Sequence, residues 1–214
     1  SNGKTVRLKL VSNPSHLEAV APVAVGYARS KTDTHNEDNY QKIVPIIIHG
    51  DSSIAGQGIV YEVIQMSQLE GYKTGGSIHF VINNQIGFTT DFDDARSANY
   101  CTSVARIVNS PVLHVNGDDV ESVIFCVELA AEFRQRFGRD IFIDMVCYRK
   151  HGHNEGDDPK FTQPKLYDII NKHPNPRDIY IEKLNTTGQI EKELVEEENK
   201  RFWNALQDKL KEIK

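Results

Sequence analysis

The chain has 214 residues, enough for one domain with a single sizeable core. Hydrophobic residues make up 39% and charged residues 26%, an ordinary globular composition, and a formal net charge of −5 offers no basic field to nucleic acid or to an anionic membrane. No run approaches the roughly 20 apolar residues of a membrane span, and the opening residues do not read as a signal peptide. Ser1-Asn2-Gly3 reads as an expression scar and not as part of the fold.

In chain order, residues 6–11 alternate like a strand, and Ser12-Asn13-Pro14 marks the start of a helix over 14–30, with Pro22 near its middle as a break. Ile43-Val44-Pro45-Ile46-Ile47-Ile48 is short, apolar and β-branched, the pattern of a strand covered on both faces, although Pro45 removes a ladder donor. A helix over 57–69 follows, with Ile59, Val63, Ile64 and Met66 as its inward stripe. Next come a second buried-type strand over 77–82, a helix over 97–108 and a third strand over 112–115. Asp118-Asp119 open a long helix to Phe137 that ends near Arg134, Arg136 and Arg139, charges placed as the helix dipole favours. Residues 140–148 form a fourth strand. Helices separated by apolar strands imply βαβ units, hence an α/β fold with a doubly wound, mostly parallel sheet and helices on both faces.

Composition shifts after Lys150. Residues 151–164 are rich in His, Gly, Asp and Pro and read as a long loop, followed by short helices around 166–172 and 176–184. From Ile190 a charged helix carries Leu194, Phe202, Leu206, Leu210 and Ile213 on one side, a stripe expected to lie on the chain's own core. The organisation read from this is an α/β domain over 4–150, a His-rich loop with short helices over 151–185, and a helical tail over 186–214. Cys101, Cys126 and Cys147 are odd in number and unpaired in spacing, which argues for buried, inert thiols in a reducing compartment.

In an open parallel sheet, ligands bind beyond the carboxyl ends of the strands. Two such ends are unusually polar here. The first strand runs into His49-Gly50-Asp51-Ser52-Ser53 and then Ala55-Gly56-Gln57-Gly58, and the second into Asn83-Asn84-Gln85-Ile86-Gly87. One offers a carboxylate beside helix N–H groups suited to phosphate, the other a neutral amide oxygen and exposed backbone. Magnesium takes such oxygens together with those of a diphosphate. One helical crossover separates Asp51 from Asn84, so both land side by side at one sheet edge.

That pair resembles the thiamine-diphosphate motif, which opens with Gly-Asp and closes with Asn-Asn. Several ordered runs look like the E1 subunit of 2-oxoglutarate dehydrogenases: Asn13-Pro14-Ser15-His16-Leu17-Glu18, Gly75-Gly76, Asn83 through Thr90, Asp94-Ala95-Arg96-Ser97, Tyr100-Cys101-Thr102, and Cys147 through Glu155. The resemblance covers about Leu8 to Leu184. It implies that Asp51 and Asn84 bind magnesium through their side chains and Ile86 through its carbonyl. It further implies that Ser52, Ser53 and His153 approach the diphosphate, and that Ser15 and Leu17 face the cofactor, Leu17 as apolar support for the aminopyrimidine. Ser52 stands where many thiamine enzymes have Gly, a departure familiar in this branch. On its own chemistry Leu17 reads simply as core.

The His-rich loop allows a rival reading, since His151-x-His153-x-Glu155-x-Asp157-Asp158 superficially resembles the zinc sites of metallo-hydrolases. Those sites need His directly after the Asp, and here Asp158 and Pro159 follow. The remaining histidines, His35, His79, His114 and His173, read as surface or satisfied core residues.

The whole enzyme implied by the resemblance decarboxylates 2-oxoglutarate on thiamine diphosphate and passes the succinyl unit to the lipoyl group of an E2 partner, a dihydrolipoyl succinyltransferase of the tricarboxylic acid cycle. It further implies a homodimer, located in the bacterial cytoplasm or the mitochondrial matrix. By the same resemblance, the glutamate that activates the aminopyrimidine lies in a separate pyrimidine-binding domain of the same polypeptide, so the 214 residues alone are expected to be inactive. Two other readings share these motifs: an E1 acting on 2-oxoadipate, and a non-catalytic module binding nucleotide or protein through the same sheet edge.

Overall fold

The computed structural model describes residues 3, 5–35, 39–190 and 192–213. Its centre is a four-stranded sheet of β1 (Ile46–Gly50), β2 (Ile78–Asn83), β5 (Val112–Asn116) and β6 (Ile141–Val146), ordered β1-β2-β6-β5. All three pairings are parallel, as expected when strands alternate with helical crossovers. Between β2 and β5 a small antiparallel hairpin, β3 (Ile86–Gly87) and β4 (Thr90–Asp91), stands apart from the main sheet.

Each face of the sheet has its own core. On one, α2 (Asp51–Gly56), α3 (Gly58–Met66) and the 3-10 helix Cys101–Val108 bury Ile54, Val60, Ile64, Cys101 and Val104 against Val81 and Phe142. On the other, α5 (Val120–Phe137) packs Val123, Cys126, Ala130 and Phe133 on Ile78, Val115, Ile141 and Ile143. The doubly wound α/β architecture is therefore present. Asp119 caps α5 by accepting from Ser122 N–H at 3.2 Å, and Gly138 ends it at φ 61°, a left-handed cap that glycine adopts without penalty.

Several boundaries differ from those read in the sequence, each for a physical reason. Residues 5–14 take no regular structure, and Val6, Leu8 and Leu10 are exposed; alternation makes a strand only where a neighbour completes the ladder. The following helix, α1, is Val20–His35, which places Pro22 in the first turn, where no intrahelical acceptor awaits its missing N–H. Strand β1 is an edge strand and is not covered on both faces. Ile47 and His49 are buried, but Ile46 is 58% and Ile48 70% exposed. Residues 97–108 yield only the 3-10 helix Cys101–Val108. Glu70 to Gly76 turn the chain back to the sheet, and there Arg134 of α5 donates to the carbonyls of Ile43, Thr74 and Gly76 at 2.8, 2.8 and 2.9 Å.

After β6 the chain forms α6 (Pro164–Ile170), α7 (Pro176–Thr186) and α8 (Lys192–Ile213). Helix α6 buries Tyr167 and Ile170 against Ile86 of the hairpin. Helix α8 keeps its predicted stripe, but Leu194, Phe202, Leu206, Leu210 and Ile213 are all exposed, so it does not lie on the core as expected. Among the described residues no helix is long and apolar enough to cross a membrane.

Candidate functional site

Strands β1 and β2 run in register, with Gly50 opposite Ile82, and β2 pairs Asn83 with Val146 of β6. Three carboxyl ends therefore finish level, and the turns leaving them meet at one edge. After β1 the chain enters α2 at once, with Asp51 as its first residue. After β2, Asn84 closes a tight turn by accepting the Ile86 N–H at 3.3 Å, with Gln85 at φ 65°. The two turns touch directly. A Cβ on Gly87 would collide with the Ser52 hydroxyl and come within 2.9 Å of Ser52 Cβ, so Gly87 is the space that the Ser52 side chain fills. Because α6 packs on the Ile86 side chain, that residue's backbone is held in place.

The loop after β6 is fastened to the same turn. Gln85 donates to the Cys147 carbonyl at 2.9 Å, Arg149 donates to the Phe88 carbonyl at 3.1 Å, and His153 packs edge-on against Phe88 with ring centroids 4.6 Å apart. His153 is itself exposed, and its N–H donates to Asp157 at 2.8 Å. Among the described residues, no group of three His, Cys, Asp or Glu side chains is gathered as a metal ion would need. The magnesium reading calls on a different donor set: one carboxylate, one amide oxygen and one backbone carbonyl.

Burial pushes the Asp51 carboxyl up while Arg96 pulls it down, and the balance leaves it above its ordinary value. Arg96 reaches Asp51 at 3.6 Å, an ion pair too long for a hydrogen bond. Asp51 Oδ2, Ser52 Oγ, and Arg96 Nε and Nη1 are all buried without hydrogen-bond partners. Buried polar groups are normally satisfied, so an oxygen-seeking cation and an anion both suit this turn. The residues present thus fit magnesium and a diphosphate.

Behind the turn lies a network that sequence reasoning missed. Glu18 Oε2 sits 2.7 Å from His49 Nδ1, and the other Glu18 oxygen accepts from Ser53 Oγ at 2.5 Å. His49 Nε2 is 3.0 Å from His79 Nδ1, and His79 Nε2 approaches Asp140 Oδ2 at 3.4 Å. Asp140 also accepts the Ser77 N–H at 2.8 Å. Burial raises the Glu18 carboxyl, but the hydrogen bonds from His49 and Ser53 outweigh it and leave it lowered. Burial lowers His49 beyond what Glu18 restores. A neutral His49 therefore donates its Nδ1–H to an ionised Glu18. Ser15 and Leu17, just upstream, are exposed, Leu17 by 59%. The Glu18 links hold their segment to the end of β1, and no hydrogen bond joins either side chain to Asp51 among the described residues.

Another buried carboxylate, Asp144, gathers Asn83 Nδ2 at 3.0 Å, Thr102 Oγ1 at 3.4 Å and His114 Nδ1 at 3.0 Å. It ties the start of the Asn84 turn to the 3-10 helix and to β5. Arg96 lay in a motif already singled out in the sequence, but nothing in its spacing pointed it toward Asp51. Glu18 directly follows Leu17, yet only the fold reveals that it is buried while its neighbours are not.

A doubly wound parallel domain with a cation- and anion-seeking turn at its strand ends is the cofactor-binding type of α/β protein. Residues 2–214 match the family model described as dehydrogenase E1 component; the chain belongs to this thiamine-diphosphate-dependent family. It is 50% identical over 204 residues to the 2-oxoglutarate dehydrogenase E1 component of Haemophilus influenzae, 95% of this chain and 22% of that protein. It is 49% identical over 207 residues to the protein of the same description from Azotobacter vinelandii, 96% of this chain and 22% of the relative. The mitochondrial 2-oxoglutarate dehydrogenase of Schizosaccharomyces pombe is 48% identical over 214 residues, the full chain and 21% of that protein. The chain thus spans about a fifth of the length of these relatives.

Proposed function

We propose that this chain is the diphosphate- and magnesium-binding part of a 2-oxoglutarate dehydrogenase E1, an oxidoreductase of the tricarboxylic acid cycle. The observation that carries the reading is the meeting of the Asp51 and Asn84 turns at one sheet edge, with buried polar atoms left unpaired around Asp51. In this reading Asp51 and Asn84 hold magnesium through their side chains and Ile86 through its carbonyl. Ser52 and Ser53 bind the diphosphate from the first turn, and His153 from the loop after β6. Ser15 and Leu17 face the thiamine.

When bound, thiamine diphosphate supplies the carbanion chemistry by which the 2-oxo acid is decarboxylated. This chain's own residues bind and orient. Asp51 supplies the anionic ligand, and α6 fixes Ile86. Glu18 holds the Ser53 hydroxyl, leaving that oxygen's lone pairs and the Ser53 N–H to face the ligand. The succinyl unit would pass to the lipoyl group of an E2 partner. The remaining pieces of the reading are a pyrimidine-binding domain supplied by the same polypeptide, a homodimeric whole enzyme, and residence in a bacterial cytoplasm or a mitochondrial matrix.

The test is calorimetric titration of thiamine diphosphate into the chain with and without magnesium. Binding that needs magnesium and is abolished in Asp51→Ala, with circular dichroism unchanged, supports the reading. Equal binding by the variant and the parent places the metal elsewhere.

A further inference from the structure

Arg96 is the C-terminal cap residue of the short helix Phe92–Ala95, and its side chain is 10% exposed. A buried guanidinium is costly unless its N–H groups find acceptors. Nε and Nη1 find none: Nη1 stands 3.6 Å from Asp51 Oδ2, which is also without a hydrogen bond. The ring of Phe92 lies 5.9 Å from the guanidinium carbon and offers no hydrogen-bond acceptor in its plane. Two opposite charges are thus buried together with unused capacity on both.

We propose that Arg96 is an anion-binding residue of this site, holding an oxygen of the cofactor's diphosphate once a divalent cation has taken over Asp51. The inference rests on the cofactor reading above and adds to it a residue which that reading does not use. Without the cofactor, Arg96 is the counter-ion of Asp51. A divalent cation on Asp51 would set like charges against each other at short range, and the guanidinium then needs another anion. A diphosphate ester brings one, since its negative charge exceeds what a single divalent cation cancels. The planar fork of an arginine suits phosphate oxygens, where a lysine supplies only a point charge.

The test compares the parent chain with Arg96→Gln and Arg96→Lys, each checked for folding by circular dichroism. Inorganic pyrophosphate and thiamine diphosphate are titrated calorimetrically at saturating magnesium, and Mn2+ alone is titrated by electron paramagnetic resonance. Arg96→Gln should weaken pyrophosphate binding by roughly tenfold or more, the scale of a charge-assisted hydrogen bond. Its affinity for Mn2+ alone should hold or rise, because an opposing charge has gone. Should Arg96→Gln fail to fold, Arg96→Lys decides: it should still weaken pyrophosphate several-fold for want of the fork, with Mn2+ binding unchanged. Pyrophosphate binding at the parent's affinity in the folded variants overturns the proposal. So does a parallel loss of Mn2+ and pyrophosphate, which would mean that Arg96 merely supports the Asp51 turn. A parent chain that binds neither pyrophosphate nor thiamine diphosphate with magnesium sinks the cofactor reading itself, and this inference with it.

Discussion

Glu18 Oε2 lies 2.7 Å from His49 Nδ1, and both side chains are buried, at 5% and 1% exposure. This pair ties the segment before α1 to the end of β1, and through Ser53 it reaches the turn read as holding the diphosphate. The carboxylate therefore acts on stability and on the site together. Glu18→Gln keeps the size but replaces a charge-assisted hydrogen bond with a neutral one. The expected cost is about 2 kcal/mol, seen as a melting temperature lowered by about 4–8 °C in a chain of this size.

The pH dependence comes from the same group. The folded pKa of Glu18 is depressed below its ordinary 4.5, so its stabilisation is complete above that value and is lost as pH falls through the folded pKa. The gap in stability between parent and Glu18→Gln should stay constant above about pH 6 and narrow below about pH 4.5. Denaturant melts across that range read it directly. A gap that does not change with pH would show that Glu18 is not the ionised acceptor.

Gly76 is strained for any other residue. Its φ is 90°, and an added Cβ would lie 2.5 Å from the Arg139 carbonyl carbon and 2.9 Å from the Arg139 nitrogen. Its own carbonyl is one of the three that hold Arg134. Gly76→Ala should therefore cost about 3 kcal/mol or more, while Gly26→Ala, in a helix with nothing within 4 Å, should be neutral or slightly stabilising. Equal melting temperatures for the two variants would refute this account of the turn.

Sheet, helices and the two polar strand ends were legible because they rest on local chemistry: β-branched runs, an acidic helix start, and turn residues after strands. The features that escaped depend on partners distant in sequence. Residues 6–11 alternate correctly, but no neighbouring strand pairs with them among the described residues. The isoleucines of β1 look doubly buried, yet the strand lies at the sheet edge. Glu18, His49, His79 and Asp140 come from four separate stretches of the chain and converge only through the parallel register. The same holds for Arg96, brought to Asp51 by the hairpin between them.

The expectation of inert thiols can be tested at two of the three cysteines. Burial, with Asp144 nearby, pushes Cys101 up to about 12, and burial, with Asp51, Asp118 and Asp144 nearby, pushes Cys147 up to about 11. Only the thiolate reacts. At pH 8 a disulfide reagent should therefore modify folded Cys101 and Cys147 on the order of a hundredfold or more slowly than a free thiol. Mass spectrometry of tryptic peptides would locate the label. Prompt labelling of Cys101 in folded protein would show that its surroundings are open.

Turnover depends on whether water is kept from the reacting centre, and here the groups proposed to lie beyond the diphosphate are open to solvent. Leu17, read as the aminopyrimidine support, is 59% exposed, and Ser15 and His153 are exposed as well. Closing an active site strengthens its electrostatics and excludes side reactions, and an open one has neither advantage. Among the described residues the buried carboxylates are Glu18, Asp51, Asp140 and Asp144. Glu18, Asp140 and Asp144 are held by their own hydrogen-bond networks, and Asp51 is the one read as the metal ligand, which leaves none of them to activate a bound aminopyrimidine. Loss of such an acid–base group alone costs about two to four powers of ten. The chain is therefore expected to bind thiamine diphosphate weakly and to decarboxylate no measurable 2-oxoglutarate when supplied with magnesium, cofactor and an artificial electron acceptor. Weak binding with no turnover would fit a diphosphate-holding wall that needs a second surface against it. Turnover near that of a whole 2-oxoglutarate dehydrogenase E1, measured side by side, would mean that these residues already enclose a complete active site.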